Sequence, residues 1–337
     1  HFERVVDIAD LMVDGAGIHL AGVRIDDSDD GVADIDGSIL FNDYRFFSFD
    51  LAGQLREMTV IDVEDSDNLP FYGTIRASGP ATLTGPLPDA TLRSPGARTT
   101  PDSELYIPVL EEDVSEESGY IIFADSTGQL PDLRDLTRRE NLLADRPVGE
   151  PSFLDGLELD LNILAPQGST VHLVFDPLVG DVVTAIGSGR VQLQRQEGEF
   201  FVYGTYEVEG GDYLFTAGEV FVRKFSIDGG TLTWDGDPVN AVMNLSAAYR
   251  TRASPAGLPN EEQYAGRIPV IVELDITGRV ETPRVDLSLA VARDQRSGLI
   301  GDQTLDAILN QDDLATEYAT SVLLTNTFLL TTSTLTT

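Results

Sequence analysis

Chemistry in a protein is carried by histidines, cysteines and well-placed carboxylates, and this chain is poor in the first two and saturated with the third. Cysteine is absent, which removes disulfides, thiolate nucleophiles and thiolate metal sites. Of three histidines, His1 is terminal, His19 stands alone, and His172 lies in Val171-His172-Leu173-Val174-Phe175, on the face opposite Val171 and Phe175. That placement reads as the polar face of a strand, not as a base or a ligand. No G-x-S-x-G elbow, Walker loop, G-x-G-x-x-G or H-E-x-x-H stretch occurs. With 57 acidic residues, a carboxylate pair arises by chance at any spacing, so a glycosidase-type pair carries no information. The best metal candidate is Asp26-Asp27-Ser28-Asp29-Asp30-Gly31 with Asp34 and Asp36, but Gly37 stands where a calcium loop needs its bidentate Glu. A solvated turn is the better reading. The expectation is a protein that is not an enzyme, with no cofactor and no metal.

The charge balance narrows the partners. The 22 basic residues against 57 acidic ones leave a net charge of −35, and Lys224 is the single lysine. Phosphate-backbone binding needs clustered Lys and Arg, so nucleic acid is excluded. Extreme acidity with almost no lysine suits a proteome adapted to high salt, where self-repulsion is screened. No stretch reaches the roughly 20 apolar residues of a membrane helix. The first residue is not Met, and the chain reads as a piece of a larger protein, with any anchor outside it.

The elements that must position any site show a period of two. Leu157, Leu159, Leu161 and Ile163 alternate with Glu158, Asp160 and Asn162; Val171, Leu173 and Phe175 follow, then Val191 and Leu193. Leu232 and Trp234, the run Ala241 to Tyr249 through Met243 and Leu245, Val270 to Ile276 through Val272 and Leu274, and Val285 to Val291 through Leu287 and Leu289 continue the pattern. Strands with one apolar and one polar face follow, joined as an antiparallel meander. Glu209-Gly210-Gly211-Asp212, Asp228-Gly229-Gly230 and Asp235-Gly236-Asp237-Pro238 read as tight turns between strands. Tyr72-Gly73-Thr74, Gly79 and Leu83 match Tyr203-Gly204-Thr205, Gly210 and Leu214 at a constant offset, which suggests one hairpin type used twice. Helical patterns fall near Asp132 to Ala144, at Thr304 to Leu309, and from Asp312 to about Leu330, where Leu314, Tyr318, Val322 and Leu329 form a stripe behind an Asp312 or Asp313 cap.

An apolar sheet face of this size must be covered, and helices are too few to form a second layer. The sheet therefore closes as a barrel, stacks as a sandwich, or curls into a trough whose lining faces a ligand. A lining of Val, Leu, Phe and Met suits aliphatic chains better than a polar metabolite.

The stretch from Gly156 to Arg252 carries a resemblance. "GLELDLNILAPQGSTVHLVFDPLVGDVV" and "VYGTYEVEGGDYLFTAGEVFVRKFSIDGGTLTWDGDPVNAVMNLSAAYRT" resemble the C-terminal domain family of TamB, the translocation and assembly module subunit. "FYGTIRASGPATLTGPL" and "ARTTPDSELYIPV" upstream, and "LDITGRVETPRVDLSL" and "LNQDDLATEYATSVLLTNTFL" downstream, extend it over nearly the whole chain. The family is similar to AsmA-like and bridge-like lipid transfer proteins. The resemblance implies an all-β, elongated, curled antiparallel sheet (a β-taco) with an apolar groove and a helical C-terminal cap. It implies a periplasmic protein, anchored in the inner membrane, whose C-terminal end lies near the outer membrane. Its ligand would be phospholipid and its partner an Omp85-family outer-membrane barrel such as TamA.

On this reading residues 1–110 form one β-groove segment, 111–155 an acidic connector, 156–298 the C-terminal β-groove domain and 299–337 a helical cap. The groove face carries Leu157, Leu159, Leu161, Val171, Leu173, Phe175, Leu232, Trp234, Met243, Leu245, Val272, Leu274, Leu287 and Leu289. The alternative is a chaperone or scaffold that offers strand edges such as Val285 to Val291 to nascent outer-membrane strands, without conducting lipid.

Overall fold

The computed structural model describes residues 5–7, 11–42, 46–64, 71–87, 89–109, 156–176, 181–217, 221–259, 261–264, 266–291, 309 and 312–330. The connector 111–155 and the helical stretch expected near Asp132 to Ala144 lie outside them, as does Thr304 to Leu309 apart from a helical Leu309.

Alternating apolar and polar residues make strands throughout. In the first half these are β1 (Val5–Asp7), β2 (Leu11–Val13), β3 (Gly17–Asp26), β4 (Val32–Asn42), β5 (Phe46–Val63), β6 (Tyr72–Pro86), β7 (Thr91–Thr99) and β8 (Glu104–Pro108). The second half holds β9 (Glu158–Asp176), β10 (Asp181–Gln196), β11 (Glu199–Ala217), β12 (Phe221–Gly236), β13 (Val242–Ala253), β14 (Ile268–Arg279) and β15 (Thr282–Val291), then helix α1 (Asp312–Thr325). All fifteen strands belong to one sheet in the order β1-β3-β4-β5-β6-β7-β9-β10-β11-β12-β13-β14-β15. Off that path, β2 pairs with β3, and β8 pairs with β6 and β9.

The antiparallel meander holds from β3 to β7 and from β9 to β15. It breaks between them, where β9 runs parallel to both β7 and β8. β7 and β8 lie end to end along β6, and β9 pairs with both, from Thr91 opposite Glu158 to Pro108 opposite Val174. A parallel neighbour needs a connection of a dozen residues or more, and the stretch between Pro108 and Glu158 has that length.

Two of the three expected turns are not turns. Gly210 and Gly211 lie inside β11, and Gly229 and Gly230 inside β12; only Asp235 to Pro238 links two strands, β12 and β13. Gly211 sits opposite Ala185 and Ile227, so pairing continues on both sides. Its φ of 137° and the 146° of Gly230 are extended conformations open to glycine, and a Cβ on Gly230 would stand 2.1 Å from the Asn244 carbonyl oxygen. These glycines bend a long strand instead of reversing it. The same holds for the internal match: Gly73 (φ 129°) and Gly204 (φ 136°) are both inside strands, so the repeated unit is a bent strand, not a hairpin.

Helix α1 ends at Thr325, earlier than its pattern suggests. Asn326 adopts a left-handed conformation (φ 53°) and closes the helix with its N–H on the Val322 carbonyl. The chain then bridges to Ser254, whose N–H donates to the Asn326 carbonyl and whose carbonyl accepts from Phe328. Tyr318 and Val322 are buried and Leu314 packs against the core, whereas Leu329 lies past the helix and is exposed.

Candidate functional site

Cross-strand register defines one face of the sheet across its width. A single row runs Val63, Gly73, Leu105, Val171, Ala185, Gly211, Ile227, Ala247, Leu274, Leu287, from β5 to β15, and every member is apolar or glycine. The neighbouring row on the opposite face runs Tyr72, Tyr106, His172, Thr184, Asp212, Ser226, Ala248, Glu273, Ser288. The sheet is thus two-sided in chemistry as well as in shape, because successive side chains point to opposite faces.

His172 lies on the polar face, as its position in the sequence indicates. Its ring stacks on Tyr106 (4.2 Å between centroids), which stacks on Tyr72 (4.9 Å), and its Nδ1 meets the Thr184 hydroxyl at 3.1 Å. Burial holds its imidazole below the ordinary value of 6.5, against the opposing pull of Glu104. His19 contacts Ser38 on the β3–β4 hairpin. The acidic turn at Asp26 to Gly31 satisfies itself: the Asp27 carboxylate accepts N–H bonds from Asp29 (2.9 Å), Gly31 (2.6 Å) and Thr59 (2.8 Å). Among the described residues no group of His, Asp and Glu is arranged to hold a metal.

Coverage of the apolar face differs along the sheet. From β9 onward, Val171, Leu173, Leu232, Trp234, Met243, Leu245, Val272, Leu274 and Leu289 are buried within one core cluster, with Phe175 and Leu287 packed at its margin. Tyr206 is part of it; its hydroxyl donates to the Ser169 carbonyl, and burial pushes its pKa up to about 12. Helix α1 supplies Tyr318, Ala319, Val322 and Leu323 to the same cluster. Leu157, just before β9, and Leu159 and Leu161, at its start, are only half-buried. They continue a face on which Ile18, Ile39, Phe49, Leu51, Leu83 and Leu92 are half-buried, while Val23, Ala33, Met58 and Ala77 on the same face of β3 to β6 are buried. Leu51, Leu83, Leu92 and Leu159 stand side by side in successive strands, and the row continues to Arg195 and Phe200.

The face curls strongly enough to bring distant strand ends together. Phe71, just before β6, packs its ring on Phe200 of β11 at 5.7 Å. Straight across the sheet, however, Phe200 is level with Leu83, about 40 Å of strand from Phe71 at ~3.3 Å per residue. Twist and curvature must bring the opposite ends of β6 and β11 together. Sequence reasoning centred on residues after Gly156 missed the leucines of β5 to β7. The alternation Phe47, Phe49, Leu51, Gly53, Leu55 was the signal for them.

An all-β sheet with one apolar face, buried in a single core cluster after β9 where the C-terminal helix joins it and half-buried in places before it, defines the class. The chain belongs to the TamB C-terminal domain family, whose model matches residues 22–337. Its role is therefore TamB-like, within the translocation and assembly module of the cell envelope. No curated protein matches the chain. Among the described residues no helix is long and apolar enough to cross a membrane.

Proposed function

We propose that this chain conducts phospholipid between the inner and outer membranes, with acyl chains lying on the half-buried apolar face of β3 to β7 and the start of β9. The observation that carries the reading is a contrast within one face: after β9 most of its side chains join one buried core cluster, whereas before it Ile18, Ile39, Phe49, Leu51, Leu83 and Leu92 are half-buried. Apolar surface releases about 25 cal/mol per Å² on leaving water, so an acyl chain is held without a specific polar anchor and slides between equivalent positions. No covalent step is involved, and the headgroup stays at the water-facing margin. The closed half then serves as the terminal plug of the conduit and as the platform that meets an Omp85-type barrel. Thr282 to Asp286 of the edge strand β15 are all exposed, Val285 among them, which suits strand addition by that partner.

Native mass spectrometry of the detergent-free protein, expressed in a bacterial periplasm, tests the reading. Retained phospholipid that disappears on combining Leu92→Asp with Leu159→Asp, at an unchanged melting temperature, is the expected result. A lipid-free wild type, or lipid that survives both substitutions, refutes it.

A further inference from the structure

The two halves of the sheet meet at β7, β8 and β9, and the β8 part of that joint carries an aromatic ladder on the polar face. β8 is only five residues long; it pairs with β6 over Tyr72 to Thr74 and with β9 over Thr170 to Val174. Tyr72, Tyr106 and His172 stand directly opposite one another in β6, β8 and β9, and Thr184 of β10 stands opposite His172. The rings stack nearly parallel, at 6° between Tyr72 and Tyr106 and 9° between Tyr106 and His172. On its other face β8 brings Ile107 into the core cluster and packs Leu105 against it.

The ladder ends on an imidazole that is satisfied on one side. Its Nδ1 meets the Thr184 hydroxyl, whereas its Nε2 is buried and has no hydrogen-bond partner among the described residues. A neutral ring loses one hydrogen bond by this. A protonated ring loses more, because both nitrogens are then donors and the charged Nε2–H would be buried without an acceptor. The groups that face it are few. From β8 come Tyr106 and Glu104, whose carboxylate accepts the Tyr106 hydroxyl at 3.2 Å, and from β6 comes Tyr72 beyond them. Beyond Thr184, Asp212 of β11 is engaged by Lys224 of β12 at 3.0 Å. Glu104 favours the charged ring, and burial outweighs it.

We propose that the Tyr72–Tyr106–His172 ladder is an acid-sensitive latch: protonation of His172 drives its ring out of the stack and releases β8 from β9. The latch is independent of what occupies the apolar face. The released ring takes a proton at the ordinary value of 6.5 and the stacked ring only below it, so the stability of the joint falls as pH drops through 6.5 and levels off once the stacked ring is itself protonated. Release uncovers Leu105 and Ile107 and opens the core cluster at the boundary between the two halves. The pairing of Thr91 to Arg98 with Glu158 to Leu164 keeps the halves joined, so the event is a local opening.

Hydrogen exchange of the full 337-residue chain at about pH 7.5 and about pH 5.5, corrected for intrinsic exchange rates, reads the latch. Protection of residues 104–108 is expected to fall several-fold at the lower pH, with about tenfold as the ceiling for one proton on a group of ordinary pKa 6.5. His172→Gln is expected to give equal protection at both pH values, His19→Gln to respond like the wild type, and Glu104→Gln to respond at least as strongly. Ring-proton magnetic resonance of the wild type titrates His172 without relying on any variant, and an apparent pKa below 6.5 is expected. A value of 6.5 or above, or an equal loss of protection in His172→Gln, overturns the proposal. So does a loss of protection that runs equally through β9 to β15, which would make the response global.

Discussion

The two halves of this sheet are built from the same alternation and end in different states. In β13 and β14, Met243, Leu245, Val272 and Leu274 are at most 3% exposed. In β5 to β7, Leu51, Leu83 and Leu92 occupy the same face, in continuous register with the later strands, and stay half-buried. The difference lies in what covers the face. The later strands curl over a filled interior and receive α1, whose Tyr318, Val322 and Leu323 join the cluster. Among the described residues β3 to β7 receive no helix, and their buried apolar residues are Val23, Ala33, Met58 and Ala77. An amphipathic sheet face is sealed or left half-exposed according to curvature and cover, not according to its own sequence pattern.

The sharpest way to break this comparison is to place a charge in each half. Leu245→Asp buries a carboxylate in sealed core and is expected to cost more than about 4 kcal/mol, enough to unfold the second half. Leu83→Asp leaves its carboxylate in reach of water and is expected to cost within about 1 kcal/mol. Urea unfolding of both variants measures the gap, and equal costs would show that both halves are core.

The paired glycines offer a second comparison. A Cβ on Gly204 would stand 2.3 Å from the Arg190 carbonyl oxygen, and one on Gly73 the same distance from that of Glu104. Gly204→Ala and Gly73→Ala are each expected to destabilise by about 2 kcal/mol or more, since alanine is strained at these φ values and the neighbouring backbone must move. If only Gly204 is sensitive, the earlier half is looser than its pairing indicates.

Acid distinguishes the halves next. Burial raises the pKa of Asp27, but the N–H groups of Thr59, Gly31 and Asp29 outweigh it and hold the carboxyl below its ordinary 3.8. A depressed folded value means its contribution is fully present above pH 3.8 and is lost as pH falls through the folded value. Asp27→Ala leaves three N–H groups without their acceptor and is expected to cost about 2 kcal/mol at neutral pH. The variant's stability deficit should shrink in strong acid, as followed by thermal melts across pH.

Much of the fold was legible because period two is a local signal. Leu157 to Ile163 and Val270 to Ile276 announce strands with one apolar face, and Asp312 to Thr325 announces the terminal helix. The glycine pairs misled because Gly-Gly flanked by Asp or Glu marks equally a reversal and a bend, and only pairing on both sides of Gly211 and Gly230 decides between them. The parallel seam of β7, β8 and β9 was not legible, since strand direction depends on the distant path of the connection. The division into open and sealed lining was hidden for the same reason. Leu159 and Leu245 sit in the same kind of pattern, and only the curl of the sheet separates them.

The central claim is that lipid contacts one half of the face and not the other. Irradiating the unmodified protein with a phospholipid that carries a photoreactive group in its acyl chain, then locating adducts by peptide mass spectrometry, reads this directly. Adducts confined to residues 18–97 and 157–163 are the predicted result. Adducts on the buried strand residues 225–276, at yields matching the first group, would contradict it.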